Sequence, residues 1–319
     1  MNLFTRRVFL QTTAIAAAAT ASGQARSIDR FERNEARVQD ISLSAYSFKR
    51  SMRWWKGTRT NGKMDLLDFL DYCADAGVEA AELTSYFFPY PLNLDYLNQI
   101  KRRAHLLGID ISGGAMGNCF ANTPGSEQAD ADMDYFRQWI DRFADVGAPA
   151  VRVFAGQGRQ PGIDKQQSLA NVIANLQPAL RYAESRGVML GLENHDMLQN
   201  ADDLLHIVET IDSPWLGVTW DSANLSATPD PYAELAKIAP HAITAQLKLS
   251  TRINGQPVAA DIPRLLSILQ DANYRGYVVL EYEEKEPPEI AIPTFIADVR
   301  TALDASSDQT QHSESPAND

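Results

Sequence analysis

The sequence predicts an α/β fold, a single closed (β/α)8 TIM barrel, and two patterns carry that expectation. From residue 40 to residue 304, short apolar runs alternate with amphipathic stretches, as successive βα units of a parallel sheet do. Three of the four later apolar runs end in an acid, VMLGLE at Glu193, LGVTWD at Asp221 and GYVVLE at Glu281, and the weaker TAQLKLS run ends at Gln246 and Lys248. Acids placed repeatedly at the C-terminal ends of apolar strands mark the active face of a barrel enzyme.

Taken in order, the expected strands are 41–46, 79–83, 109–115, 150–154, 188–193, 216–221, 243–248 and 276–281. The helices between them fall at 64–76, 94–107, 132–146, 168–186, 201–211, 231–239, 261–271 and 290–303. Gly77, Gly108, Gly147 and Gly187 follow helical stretches, where a left-handed cap favours glycine. Pro263 sits in a first helical turn, where its missing N–H costs nothing. The longer loops, 47–63, 84–93, 116–131 and 155–167, all follow strands, and they hold Trp54, Trp55, Tyr86, Phe87, Phe88, Tyr90 and Phe120. Large aromatics in loops are disfavoured in water, so they are expected to roof a pocket for a ligand with flat apolar faces, such as a sugar ring.

Residues 1–26 read as a twin-arginine signal peptide. Arg6-Arg7-Val8-Phe9-Leu10 precedes a short apolar run, 12–21, that ends among small residues. Residues 27–38 read as a linker, 39–304 as the barrel and 305–319 as a disordered polar tail. The expected location is therefore periplasmic, or otherwise exported by the twin-arginine route, with no membrane attachment once the signal is removed. The chain of 319 residues carries a net charge of −12, which argues against a nucleic-acid partner. Its two cysteines, Cys73 and Cys119, cannot form a disulfide framework. Self-association is left open.

Strand side chains alternate between faces. That rule turns Glu193, Asp221, Gln246 and Glu281 toward one point in the barrel mouth, with His195 and Lys248 sharing their parity. Crowded carboxylates repel unless a cation sits among them, and all-oxygen ligation favours Mg²⁺ or Mn²⁺ over Co²⁺ or Zn²⁺. Such an ion polarises a carbonyl and acidifies the adjacent C–H. Glu193 and Glu281 are the candidate proton-transfer groups, and Lys248 is the candidate oxyanion partner. Candidate substrate contacts are His195, Asn224, Arg152, Glu82, Tyr46 and Asn118.

Through LEN at Glu193, WDSAN at Asp221 and LEYE at Glu281, the chain resembles the xylose isomerase-like TIM barrels, the sugar phosphate isomerase/epimerase family. The resemblance covers 40–304. It implies one divalent metal held at the four strand-end positions, and two glutamates that move the proton. The family's H-x-K pattern on strand 7 reads Gln246-Leu247-Lys248 here; the amide can ligate more weakly or bind substrate instead. The expected function is a metal-dependent isomerase or epimerase acting on a non-phosphorylated keto-sugar or polyol. A 3-keto-glycoside lyase using the same metal and base, and a non-catalytic sugar-binding barrel, stay open. A zinc endonuclease of the related apurinic-site class is disfavoured, since it needs several zinc-binding histidines and of the five here only His195 follows a strand end.

Overall fold

Residues 40–156, 162–225 and 228–313 are described by a computed structural model. The expected signal peptide and linker, and residues 314–319 of the expected tail, lie outside them. Eight parallel strands close into a barrel: β1 (Ile41–Ser44), β2 (Ala80–Thr84), β3 (Asp110–Ala115), β4 (Ala150–Val153), β5 (Met189–Glu193), β6 (Leu216–Asp221), β7 (Ala242–Leu247) and β8 (Val278–Leu280). Each strand pairs with its neighbours in sequence, and β8 closes on β1 through Ile41–Val278.

The helices are α1 (Leu66–Asp75), α2 (Leu94–Leu107), α3 (Glu127–Val146), α4 (Lys165–Ser185), α5 (Ala201–Ile211), α6 (Pro231–Ile238), α7 (Ile262–Asp271) and α8 (Pro288–Ser313). Their starts are chemically marked. Asp65, Asn93, Ser126, Asp164, Asn200, Asp230 and Asp261 each accept a first-turn N–H on the side chain, which satisfies donors no helical carbonyl can reach. Gly108 and Gly147 end α2 and α3 at φ +69° and +88°, the left-handed cap expected of them. Helix α8 runs to Ser313, past residue 305, and no Pro or Gly follows Pro293 until Pro316.

Two short hairpins stand outside the barrel, Trp54–Trp55 with Thr58–Arg59 and Ser250–Ile253 with Gln256–Ala259. Both turn on a pair of positive-φ residues, Lys56-Gly57 and Asn254-Gly255, the conformation that two-residue hairpins require.

Alternation along the strands sets the layers. Leu43, Leu83, Val151, Val153, Leu190, Leu192, Val218, Leu247 and Leu280 are fully buried toward the helices. Trp220 also points that way, donating its indole N–H to Leu235 O of α6 at 3.0 Å. The opposite parity lines a polar barrel interior. Ser42 meets Ser112 at 2.7 Å and Thr219 donates to Gly191 O at 3.1 Å. These contacts satisfy groups that would otherwise be costly to bury. The same parity carries Glu82, Arg152, Glu193, Asp221 and Gln246 inward, all of them buried.

Candidate active site

At the C-terminal face a cleft of about 180 Å³ opens among Arg152, Glu193, His195, Lys248, Glu281 and Glu283, walled by Tyr46, Trp55, Tyr86 and Phe154. The expected site residues divide by depth. Glu193 ends β5 and Glu281 directly follows β8, and both reach the cleft. Asp221, Gln246 and Glu82 are buried beneath it and do not line it. Asn224 and Asn118 also stay out of the cleft; each holds a neighbour in place.

Glu193 is clasped from two sides. Arg152 Nε stands 3.1 Å from its Oε2, and Asn224 donates to its Oε1 at 2.9 Å. Arg152 in turn donates to Met116 O at 2.9 Å and stacks 3.9 Å over the Phe154 ring. Burial raises the Glu193 pKa, against the pull of Arg152. Burial also tends to lower the Arg152 pKa, but Glu193, Tyr86, Glu281 and Glu82 outweigh it and keep the guanidinium charged. Asn118 pins Phe154 from behind. It donates to Phe154 O at 2.8 Å and accepts from Phe154 N at 3.0 Å. His195 lies against the same ring, at 4.8 Å between centroids, with its Nδ1 3.0 Å from Asp196 Oδ1.

Lys248 is the hub of the opposite wall. Its Nζ lies 3.0 Å from Asp221 Oδ2, 3.6 Å from Glu281 Oε1 and 2.7 Å from Glu283 Oε2. Burial opposes its charge, yet these three acids together raise its pKa well above the ordinary lysine value. Glu281 is pushed up to about 8 by burial, with Lys248 pulling the other way. Burial works against the charge on Glu283 too, but Lys248 and Lys49 overcome it and hold its pKa at about 2. Lys49 reaches Glu283 at 2.6 Å and lies 4.3 Å over Tyr46.

Beneath the cleft, Gln246 donates its amide to Glu82 Oε1 at 3.0 Å, and Ser44 donates to the same oxygen at 3.0 Å. Burial raises the Glu82 pKa to about 7, although Arg152, Ser44 and Gln246 favour the charged form. The sign of its effect on stability follows. An unfolded glutamate ionises near pH 4.5, whereas the buried one keeps its proton to about 7. The unfolded chain therefore binds fewer protons in that window, and Glu82 withdraws stability as pH rises through it. In EDTA, Glu82→Gln is expected to be more stable than the parent at pH 8 by a few kcal/mol, at roughly 1.4 kcal/mol for each tenfold difference in proton affinity between the folded and unfolded chain. The gain fades by about pH 4.5. Urea titrations at both pH values check this, and an equal gain at both would refute it.

Sequence reasoning passed over four contributors. Asn194 clamps the ends of β5 and β6, donating to Asp221 O and accepting from Asp221 N, both at 2.8 Å. Ser222 accepts the Lys248 backbone N–H at 2.9 Å. Phe154 and Glu283 line the cleft directly. Glu283 had a readable signal, since it shares parity with Glu281 in LEYEE. The roof is only partly as expected. Trp55 and Tyr86 wall the cleft, 5.3 Å apart, but Phe87, Phe88 and Phe120 are core residues and Tyr90 is exposed.

The donor set can be tested against a divalent cation. Among the described residues, no cluster of three or more His, Cys, Asp or Glu is disposed to hold a metal. The repulsion that called for one is met by Arg152 and Lys248. Yet Gln246 Oε1 is buried with no hydrogen-bond partner among the described residues, and Glu193 Oε2 and Asp221 Oδ2 are met only by the ion-pair contacts of Arg152 and Lys248. These buried oxygens are donors of the kind a hard cation takes, with Glu281 as the fourth. Lys248, already bonded to Glu283, has somewhere to go when Asp221 is taken.

Comparison with known proteins agrees with this architecture. A 3-oxo-isoapionate decarboxylase from Pectobacterium atrosepticum is 24% identical over 188 residues, 59% of this chain and 60% of its own length. The match thus spans under two thirds of that relative. A xylose isomerase-like TIM barrel protein from Mycobacterium smegmatis, solved in complex with magnesium, superposes with a TM-score of 0.63 at 16% identity, covering 83% of this chain and 98% of that one. A 3-keto-D-glucoside 4-epimerase from E. coli, in its apo form, gives 0.63 at 16%, covering 78% and 99%. At these identities the structures speak for the fold alone. The profile of the xylose isomerase-like TIM barrel family matches residues 70–298, and with the closed eight-stranded parallel barrel around its strand-end acids, the chain belongs to that family.

Proposed function

We propose that this protein is an exported, divalent-metal-dependent sugar isomerase or epimerase that works through an enediolate on a non-phosphorylated keto-sugar or polyol. One observation carries the reading. Two buried glutamates, Glu193 on β5 and Glu281 after β8, enter the same small cleft from strands three apart in the ring, each next to a cation.

Glu193, clasped by Arg152 and Asn224, takes the proton from the carbon beside the carbonyl. The C–H electron pair becomes the C=C bond of the enediolate, and the former carbonyl oxygen takes the negative charge. Lys248 faces that charge. Glu281, which burial pushes toward its protonated form in the metal-free site, returns a proton to the opposite face and inverts the centre. Tyr46 and Trp55 hold the ring, and His195 takes a hydroxyl. A divalent ion, Mg²⁺ or Mn²⁺ ahead of Co²⁺ or Zn²⁺, would be held by Glu193, Asp221, Gln246 and Glu281, and would polarise the carbonyl.

The named relatives support this chemistry. Epimerisation beside a keto group and loss of CO₂ from a 3-oxo acid both leave an enolate that the site must stabilise. Among the described residues the basic side chains lining the cleft are Arg152, Lys248, Lys56 and His195, and the first two are paired with acids, which disfavours a phosphorylated substrate. Export rests on the twin-arginine pattern of Arg6-Arg7.

The test is deuterium exchange. Keto-sugars incubated in D₂O with the Mn²⁺- or Mg²⁺-loaded protein are expected to gain deuterium beside the carbonyl, with about one metal ion per chain by elemental analysis. Failure of exchange across the panel, with metal bound, would remove the enzyme reading in favour of a binding barrel.

A further inference from the structure

The cleft over Glu193 and Glu281 is not closed on all sides. Three of its lining residues, Lys56, Tyr86 and Phe154, also line a second cavity of about 550 Å³. The catalytic chamber alone, at about 180 Å³, falls below the roughly 300–1,000 Å³ of small-molecule sites. Together the two chambers fall within that range.

The second chamber is chemically distinct from the first. Among the described residues, apart from the shared Lys56 and Tyr86, its polar groups are Asn118, Cys119, Asn122, Gln128 and Asp132, amides, a thiol and a carboxylate. Asn118 is used up on the Phe154 backbone. Asn122 and Asp132 are tied to each other at 2.6 Å, between the loop after β3 and the first turns of α3. Gln128 stands beside them, exposed on the same helix. Amide and carboxylate groups beside aromatic faces suit hydroxyl donors and C–H faces. They do not suit an anion.

Tyr86 forms the partition. A Cβ added at Gly117 would strike its hydroxyl and stand 2.9 Å from its Cε1, so glycine there lets the ring lie between the chambers. Lys56 caps the junction, 4.5 Å over Tyr86.

We propose that the substrate is a glycoside with two sugar rings: one ring lies over Glu193 and Glu281, and the second lies in the chamber of Asn122, Gln128 and Asp132. This rests on the saccharide reading above and narrows its substrate class. An apolar cavity of about 380 Å³, lined by Phe88, Tyr90 and Trp139, lies across Tyr86 and would suit an aromatic aglycone instead. It shares only Lys56 and Tyr86 with the catalytic cleft, whereas the polar chamber shares Phe154 as well.

Binding separates these outcomes without any turnover. Methyl glucoside, phenyl glucoside, cellobiose, maltose, trehalose and sucrose are titrated calorimetrically into the full mature protein. At least one disaccharide is expected to bind about tenfold or more tightly than methyl glucoside, the effect of one or two added hydrogen bonds. In Gln128→Ala and Asp132→Asn, with folding verified by circular dichroism, that ratio is expected to collapse toward one. The proposal is overturned if no disaccharide gains over methyl glucoside, if the gain goes to phenyl glucoside instead, if the ratio survives both substitutions, or if no sugar binds saturably. Failure of the enzymatic reading shows separately, as absent deuterium exchange despite intact disaccharide binding.

Discussion

Glu281→Gln is expected to slow deuterium exchange at the substrate carbon by roughly 10²–10⁴-fold, the usual contribution of one positioned acid or base. Glu193→Gln is expected to do the same. The two losses should not add, because each removes one half of a single relay. The geometry also predicts a difference in folding. Glu281 carries its proton at neutral pH, with a pKa of about 8, so an amide replaces an uncharged group of similar shape. Glu193 faces Arg152 at 3.1 Å, and its amide leaves a buried guanidinium without its partner. Single-turnover exchange with denaturant unfolding reads both. A Glu281→Gln enzyme that exchanges within tenfold of the parent would sink the two-carboxylate mechanism.

The second large effect is structural. Arg152→Met is expected to cost about 3–5 kcal/mol in urea unfolding, the penalty of leaving a buried carboxylate unpaired. Glu193 and Glu82 both lean on that guanidinium. Adding Glu193→Gln to Arg152→Met should restore most of the loss, since the unpaired charge is then gone. A cost under about 1 kcal/mol, the range of exposed ion pairs, would mean that water reaches the pair and that Glu193 is not clasped as described.

The strands were legible as short apolar runs between amphipathic stretches, with Leu and Val buried toward the helices. The acids at Glu193 and Glu281 were legible because they end such runs. Depth was not. Parity names a face, but a closed barrel staggers its strands, so equal positions in sequence lie at unequal heights. Gln246 and Asp221 therefore sit under the cleft, not in its wall, and Gln246 spends its amide N–H on Glu82. The Asn254-Gly255 hairpin carried a readable turn signal, yet its strands of four residues leave too short a period to stand out. The two chambers had no local signal at all. They arise where the loop after β3, α3 and the hairpin at Trp54 meet, from residues far apart in the chain.

Lys248 has a consequence for how such a protein is made. Its ammonium already bridges Asp221, Glu281 and Glu283, so part of the site's acidic charge is met from within the chain. The barrel can then reach its native shape wherever the chain is synthesised, and the choice of ion is deferred to whichever compartment it matures in. If a metal binds as proposed, its uptake would be a substitution of one cation by another, with Lys248 moving aside. For a protein exported as proposed, survival in transit and readiness to react are thereby uncoupled.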